Sequence, residues 1–225
     1  MFRRLLLPGL LIALSCSMGG CVLFGLAGAM GQSFEYQKLI EVYAKYDGIE
    51  NKKVAVLIEA DLTVLFEHPA LVPAVTSGVS ARIARDVPGA QVVRPDRIIA
   101  WQYSTPQWAA LPMGDVAEQL GVDRIIYINI YEYRLHPPGN SWLWEGKAAA
   151  EVHVYEADSF DPDAFVESFD VQSEFPGITG LGRESATEQQ IEQGVLGQFI
   201  RNLAWLFHFH QEPKYPDKYQ PAVDR

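Results

Sequence analysis

Cysteine is nearly absent from this sequence. The two cysteines, Cys16 and Cys21, both lie within the first apolar segment, so the rest of the chain has no thiol for a disulfide, a redox couple or a cysteine metal site. An excess of basic residues is also missing, because 18 lysines and arginines stand against 28 acidic residues, and the formal net charge is −10. Nucleic-acid binders usually carry a basic face that replaces phosphate counterions. We therefore predict no nucleic-acid partner.

Sequence motifs that indicate catalysis or cofactor binding are missing as well. The sequence contains no phosphate loop of the form G-x-x-x-x-G-K-S/T and no G-x-S-x-G nucleophile turn. His208 and His210 are two residues apart, which places them on different sides of a helix. Asp158, Asp161 and Asp163 lack the glycine and the distant glutamate of a calcium loop. We predict no metal, no cofactor and no enzymatic activity.

The first residues have the layout of a secretory signal. Met1 to Arg4 form a short positive region, and the apolar stretch from Leu5 to Leu14 follows. The residues Met-Gly-Gly-Cys that end at Cys21 resemble the lipobox of bacterial lipoproteins, and the resemblance implies cleavage before Cys21 and acylation of its thiol. Cys16 is the second choice, because a leucine precedes it where a small residue is usual. Val22 follows the candidate lipid site, and by analogy with other lipoproteins a residue other than aspartate there implies the outer membrane.

An uncleaved anchor helix is the alternative to a processed lipoprotein. No residue from Leu5 to Met30 is charged, and roughly 20 apolar residues suffice to span a bilayer. The glycines and the proline in this stretch weaken a single helix, and both cysteines suit processing. In either case, the rest of the chain is tethered outside the cytoplasm.

Hydrophobic periodicity beyond residue 50 predicts an alternation of strands and helices. The predicted order is a strand at 53–58, a helix at 70–87, a strand at 91–93, helices at 95–101 and 116–120, strands at 124–133, 145–155 and 165–175, and a helix of roughly twenty residues after Ser185. Asp115 is expected to cap the helix at 116–120, with Gly121 at its left-handed end. Ser185 and Glu188 match a capping box.

A parallel crossover followed by an antiparallel meander predicts an α+β fold with an α/β-like start. The expected core is a mixed sheet of about five strands with helices packed on it. In the long strand, Ile126, Ile128 and Ile130 are expected on one face and Tyr127, Asn129, Tyr131 and Tyr133 on the other. The predicted organisation is a signal peptide at 1–20, a tether at 21–50, one domain at 51–212 and a Pro-rich tail at 213–225.

The segment from Asp115 to Tyr127 resembles one found in several envelope proteins. In the amino-terminal domain of TolB, the penicillin-binding-protein activator lipoproteins and the curli-secretion lipoproteins, a helix ending in Leu-Gly-Ala/Val-Asp leads into a long central strand. The resemblance covers roughly residues 53–175 and extends to uncharacterised bacterial lipoproteins. It implies a non-enzymatic envelope protein that docks on another envelope protein or assembles with copies of itself. A structural element of the cell-wall interface is a third class that the sequence does not separate from this one.

Aromatic residues near loops form the candidate interaction surface, because such side chains are enriched at binding surfaces. They equally suit packing beneath the final helix. The set comprises Trp101, Trp108, Tyr131, Tyr133, Trp142 and Trp144.

A carboxylate-dependent hydrolase is the alternative function. It would use Glu132, Glu145 or Glu151, and it requires two carboxylates facing each other across a concave pocket, about 5–9.5 Å apart.

Overall fold

The computed structural model describes residues 37–216. The predicted signal peptide, both lipid-site candidates Cys16 and Cys21, most of the predicted tether and the tail from residue 217 lie outside the described residues.

Strands and helices alternate along the described chain. The strands are β1 (Leu39–Val42), β2 (Lys53–Ala60), β3 (Gln91–Val92), β4 (Arg124–Arg134), β5 (Leu143–Trp144), β6 (Gly146–Glu156), β7 (Glu167–Phe175), β8 (Leu181–Gly182) and β9 (His210–Pro213). The α-helices, renumbered in chain order, are α1 (Leu62–Glu67), α2 (Leu71–Asp86), α3 (Pro95–Ser104), α4 (Met113–Leu120) and α5 (Glu188–Trp205). Single 3-10 turns lie at Trp108–Ala110 and Arg183–Ser185.

A five-stranded mixed sheet in the order β3-β2-β4-β6-β7 confirms the predicted fold class. β2 pairs in parallel with β3 on one side and β4 on the other. β4, β6 and β7 then form the antiparallel meander. The short strands β5 and β8 pair separately.

Helices cover both faces of the sheet because the two crossovers run in opposite directions. From β2 the chain passes through α1 and α2 to β3, then returns through α3 and α4 to β4 on the far side of β2. Right-handed crossovers in opposite directions place their helices on opposite faces. The core agrees, because Val56 belongs to one cluster with Val79 of α2 and Phe199 of α5, whereas Leu57 belongs to a second cluster with Ile98 of α3 and Leu120 of α4.

A bulge at Tyr131 changes the face on which the end of β4 presents its side chains. Ile130 pairs with Ala150 but Glu132 pairs with Ala149, so Tyr131 is the extra residue. The predicted alternation therefore holds through Ile130 and is wrong for Tyr133, which joins the isoleucines in the larger core cluster.

The final helix has the predicted apolar stripe but a different cap. Ile191, Val195, Phe199 and Leu203 are all buried along α5. The capping box is formed by Thr187 and Gln190, not by Ser185 and Glu188, since the Thr187 side chain accepts from the Gln190 N–H and the Gln190 side chain accepts from the Thr187 N–H. Ser185 instead belongs to the preceding 3-10 turn.

Helix α4 begins earlier than predicted and ends as predicted. Its first residue is Met113, after Pro112, so Asp115 lies in its first turn and makes no cap. Gly121 adopts the left-handed conformation at the helix end, with φ 68°. This conformation favours glycine, because a Cβ would crowd the backbone.

Two compact units divide the chain, and the larger one runs from Tyr43 to His210. Within it, Ile49 is fully buried in the core, and the Lys45 and Tyr46 N–H groups donate to the Leu206 carbonyl at 2.8 and 3.1 Å. Strand β1 pairs with β9, and β1 and all but the first residue of β9 belong to the other unit. The predicted boundaries of the signal peptide, tether, domain and tail stay predictions.

Candidate functional site

The structure divides the predicted aromatic surface into a buried part and an exposed part. Trp108, Tyr133 and Trp144 are buried, with exposed fractions of 7%, 4% and 3%. Trp108 packs edge-on against Tyr127, with ring centroids 5.9 Å apart. The Trp144 indole nitrogen donates to the Ala186 carbonyl at 3.0 Å. These three residues follow the alternative expectation, in which the aromatic side chains pack in the core.

Three members of the predicted set remain accessible. Trp142 and Tyr131 are exposed, and Tyr131 is the extra residue of the bulge in β4. Trp101 is half-buried, and its ring lies 6.3 Å from that of Trp108. Their role in an interaction stays a prediction.

Two of the three carboxylates of the hydrolase hypothesis, Glu132 and Glu145, form ion pairs with the same arginine, and Glu151 lies 3.7 Å from His153. Arg134 contacts Glu132 at 2.9 Å and Glu145 at 2.6 Å, and Lys147 lies 3.3 Å from Glu132. Burial raises the pKa of Glu132, but hydrogen bonds from Arg134 and Lys147 outweigh it and leave that pKa lowered. A general acid needs a raised pKa, so this geometry gives the hydrolase hypothesis no support.

A cleft of about 700 Å³ opens at the carboxyl end of β2. We call it the β2 cleft. Its floor comes from the end of β2 and from Asn129 of β4, one wall from α1 and the start of α2, and the other wall from α3 and the loop after it. In sheets with parallel strands, ligands bind in crevices of this kind, at the carboxyl ends of strands whose connections leave in opposite directions. The volume is typical of small-molecule and peptide-side-chain pockets.

The charged groups in the β2 cleft are hydrogen-bond acceptors. Glu59 and Asp61 contribute carboxylates, and the amide nitrogen of Gln102 donates one of its two N–H groups to the Ile58 carbonyl at 3.0 Å. The hydroxyl of Tyr127, which does not itself line the cleft, donates a hydrogen bond to the Glu59 carboxylate. Burial chiefly, and that hydrogen bond to a smaller extent, raise the pKa of Tyr127. The hydroxyl therefore remains a donor that holds the carboxylate in place.

Helix α1 exposes its apolar side chains at the mouth of the cleft. Its sequence, LTVLFE, has four apolar residues, but only Val64 is buried. Leu62 and Phe66 are 85% and 88% exposed, and Leu65 is 36% exposed. Residues three and four apart share one side of a helix, so Leu62, Leu65 and Phe66 form one apolar stripe, which we call the α1 stripe.

Sequence reasoning missed this cleft because its residues come from segments far apart in the chain. Glu59, Gln102 and Asn129 meet only after the two crossovers form. One signal was present: Glu59 and Asp61 follow a buried strand that the sequence already placed in a parallel crossover. Polar side chains at the end of such a strand indicate a candidate site.

The loop aspartates serve structural roles. Asp158 pairs with the buried Arg124 and with Lys52, the latter at 3.0 Å, and Asp163 accepts from the Gly114 N–H at 2.8 Å. Gly114 and Asp163 line a second cavity of about 630 Å³ beside α4. Across residues 37–216, no cluster of three or more histidine, aspartate or glutamate side chains has a geometry that could hold a metal ion.

None of the helices within the described part of the chain is both long and apolar enough to cross a bilayer.

The fold and the cleft together define an α+β protein with a mixed sheet, helices on both faces and an apolar opening at the carboxyl end of its central parallel strand. No family model matches the chain. No curated protein matches it either.

Solved structures with a similar fold include bacterial proteins of low sequence identity. The lipoprotein GNA1162 from Neisseria meningitidis is 11% identical, with 63% of this chain and 90% of that chain covered at a TM-score of 0.43. The PelC dodecamer from Paraburkholderia phytofirmans is 11% identical, with 76% of this chain and 98% of that chain covered at a TM-score of 0.45. The hypothetical protein CT253 from Chlamydia trachomatis is 13% identical, with 68% of this chain and 92% of that chain covered at a TM-score of 0.42. The specific resemblance to TolB and curli-secretion proteins stays a prediction.

Proposed function

We propose that this chain is a lipid-anchored envelope protein without catalytic activity that binds an envelope protein at the β2 cleft. The observation that carries this proposal is the α1 stripe, because its leucines and phenylalanine stay in water beside a cleft that they could have helped to close. Scattered apolar residues on a surface need no explanation, but an apolar group next to a concave pocket is typical of an interaction site.

The N-terminal sequence supports the anchoring part of the proposal. Cys21 closes a lipobox-like tetrapeptide, and acyl chains buried at about 0.8 kcal/mol per methylene would hold the folded part on a membrane. Val22 favours the outer membrane as the destination.

Intact-mass measurement of the protein from native membranes tests the anchor. The expected mass lacks the first twenty residues and includes acyl chains, and the protein should sediment with outer-membrane fractions. Cys21→Ser should abolish both acylation and membrane retention, whereas the matched control Cys16→Ser should leave them intact. A full-length, unmodified mass would contradict this part of the proposal.

Quantitative co-purification from detergent-solubilised membranes tests the cleft. A variant with Leu62→Ser and Phe66→Ser should lose its envelope partner, since both side chains would contact that partner. The matched control is Phe160→Ser, which alters a fully exposed phenylalanine in the loop after β6, away from the residues that line the cleft. Equal partner recovery from the two variants would contradict a binding role for the cleft.

A further inference from the structure

We infer that the β2 cleft receives a peptide segment that carries a basic side chain among apolar ones, presented by the partner protein. This inference rests on the proposed function and specifies the chemistry of the partner. It follows from the two carboxylates inside the cleft and from the apolar stripe at its mouth.

The charge inside the β2 cleft has one sign. Fifteen residues line it, and only Glu59 and Asp61 among them are charged; the lining contains no lysine, arginine or histidine. A carboxylate near a protein surface attracts a cation and repels an anion a few ångströms away. An acidic side chain would meet two like charges, so the cleft discriminates in favour of a cation.

Neighbouring groups complement a cation with hydrogen-bonding and aromatic contacts. The Tyr127 hydroxyl holds the Glu59 carboxylate in place, so the charged groups that the cleft offers to a ligand are the two carboxylates of Glu59 and Asp61. A lysine ammonium or arginine guanidinium supplies only donors, which carboxylates accept. The exposed Tyr103 also lines the cleft, and aromatic rings attract cations held over their faces.

The α1 stripe points to a peptide in preference to a small cation. Leu62 and Leu65 line the cleft, but Phe66 lies one helical position beyond the lining residues. A small ligand seated in the cleft would leave Phe66 in water. A segment with apolar residues on either side of its basic residue would cover the whole stripe, as amphipathic peptides do in hydrophobic grooves.

Binding of three short labelled peptides to the full-length protein in phosphatidylcholine nanodiscs tests this inference by fluorescence anisotropy. One peptide contains leucine and alanine around a central lysine, the second has glutamate in place of that lysine, and the third has serine in place of the leucines. Empty nanodiscs give the background from lipid binding. The lysine peptide should bind about tenfold more tightly than either of the others.

Charge-removing variants show whether the preference arises in the cleft. Glu59→Gln with Asp61→Asn should abolish the preference for lysine over glutamate, and Asp61→Asn alone should reduce it if the double variant fails to fold. Asp170→Asn, an exposed acidic residue on β7, is the matched control and should preserve the preference.

Two results would overturn the inference: equal affinity for the lysine and glutamate peptides, or an unchanged preference after both carboxylates are removed. If either result occurs while Leu62→Ser with Phe66→Ser still releases the envelope partner, the cleft remains a binding site and only its assigned chemistry is wrong. If the partner also stays bound, the proposed function falls as well.

Discussion

Helix α1 offers a direct comparison between an apolar residue that stabilises the fold and one that does not. We predict that Val64→Ala destabilises the protein by about 1.5 kcal/mol, because it removes two buried methyl groups at about 0.8 kcal/mol each and leaves a small cavity, while the better helix propensity of alanine offsets part of the loss. Val64 is 6% exposed, so nearly all of this contact is lost.

Phe66→Ser, two residues further along α1, should have little effect on stability. Phe66 is 88% exposed, so folding removes only about an eighth of its side-chain surface from water. That burial stabilises the folded protein by at most about 0.4 kcal/mol. Serine and phenylalanine have similar helix propensities, which leaves the helix itself unchanged.

Urea unfolding of the two variants, followed by tryptophan fluorescence, measures this contrast. A loss of stability in Phe66→Ser as large as that in Val64→Ala would mean that the phenylalanine packs within the folded chain. The α1 stripe would then need no partner, and the reasoning for a docking site would be refuted.

Three further predictions concern parts of the fold that the structure corrected or explained. Thr187→Ala should lower the free energy of unfolding by about 1 kcal/mol in urea titrations, because Thr187 caps α5. Ser185→Ala should change it by less than about 0.5 kcal/mol, because Ser185 makes no cap. Equal losses of stability in the two variants would contradict the observed cap. Gly121→Ala should cost about 1 kcal/mol by the same measurement, since at a φ of 68° an added Cβ would crowd the adjoining backbone although it would meet no side chain from elsewhere in the fold; an unchanged stability would contradict that conformation. The pKa of Asp158 is lowered to about 2, chiefly by the hydrogen bond from Arg124. The contribution of Asp158 to stability is therefore complete above its unfolded pKa and is lost as pH falls through its folded pKa. The stability difference between the wild-type protein and Asp158→Asn, up to about 1 kcal/mol for this exposed carboxylate, should shrink from about pH 4 to pH 2. A difference that grows over this range would contradict the pairing.

The fold could be predicted from the sequence wherever one local pattern decided the outcome. The stripe Leu71, Val75, Val79 and Ile83 produced α2 because a four-residue spacing keeps one side of a helix facing the sheet. Gly121 ended α4 because few other residues adopt its conformation at low cost.

Where two local patterns competed, tertiary contacts decided the outcome. Ser185 and Thr187 each offer a hydroxyl with a suitable partner three residues later, and the position of the turn before α5 selected Thr187. The bulge at Tyr131 has no reliable sequence signal, yet it moved Tyr133 into the core.

The candidate site was the least predictable part because it depends on topology. Aromatic composition pointed to Trp108 and Trp144, but large aromatic side chains fill cores as readily as they form interfaces, and here both are buried. The exposed apolar residues of α1 belong to a six-residue helix, which is too short for hydrophobic periodicity to reveal.

Site-specific photocrosslinking in living cells tests the central claim most directly. A photoreactive residue in place of Leu62, at the mouth of the β2 cleft, should form a discrete covalent complex with an envelope protein, and one in place of Phe160 should not. Matching yields of the same products from both positions, or no product at position 62, would contradict a partner-binding role for the β2 cleft.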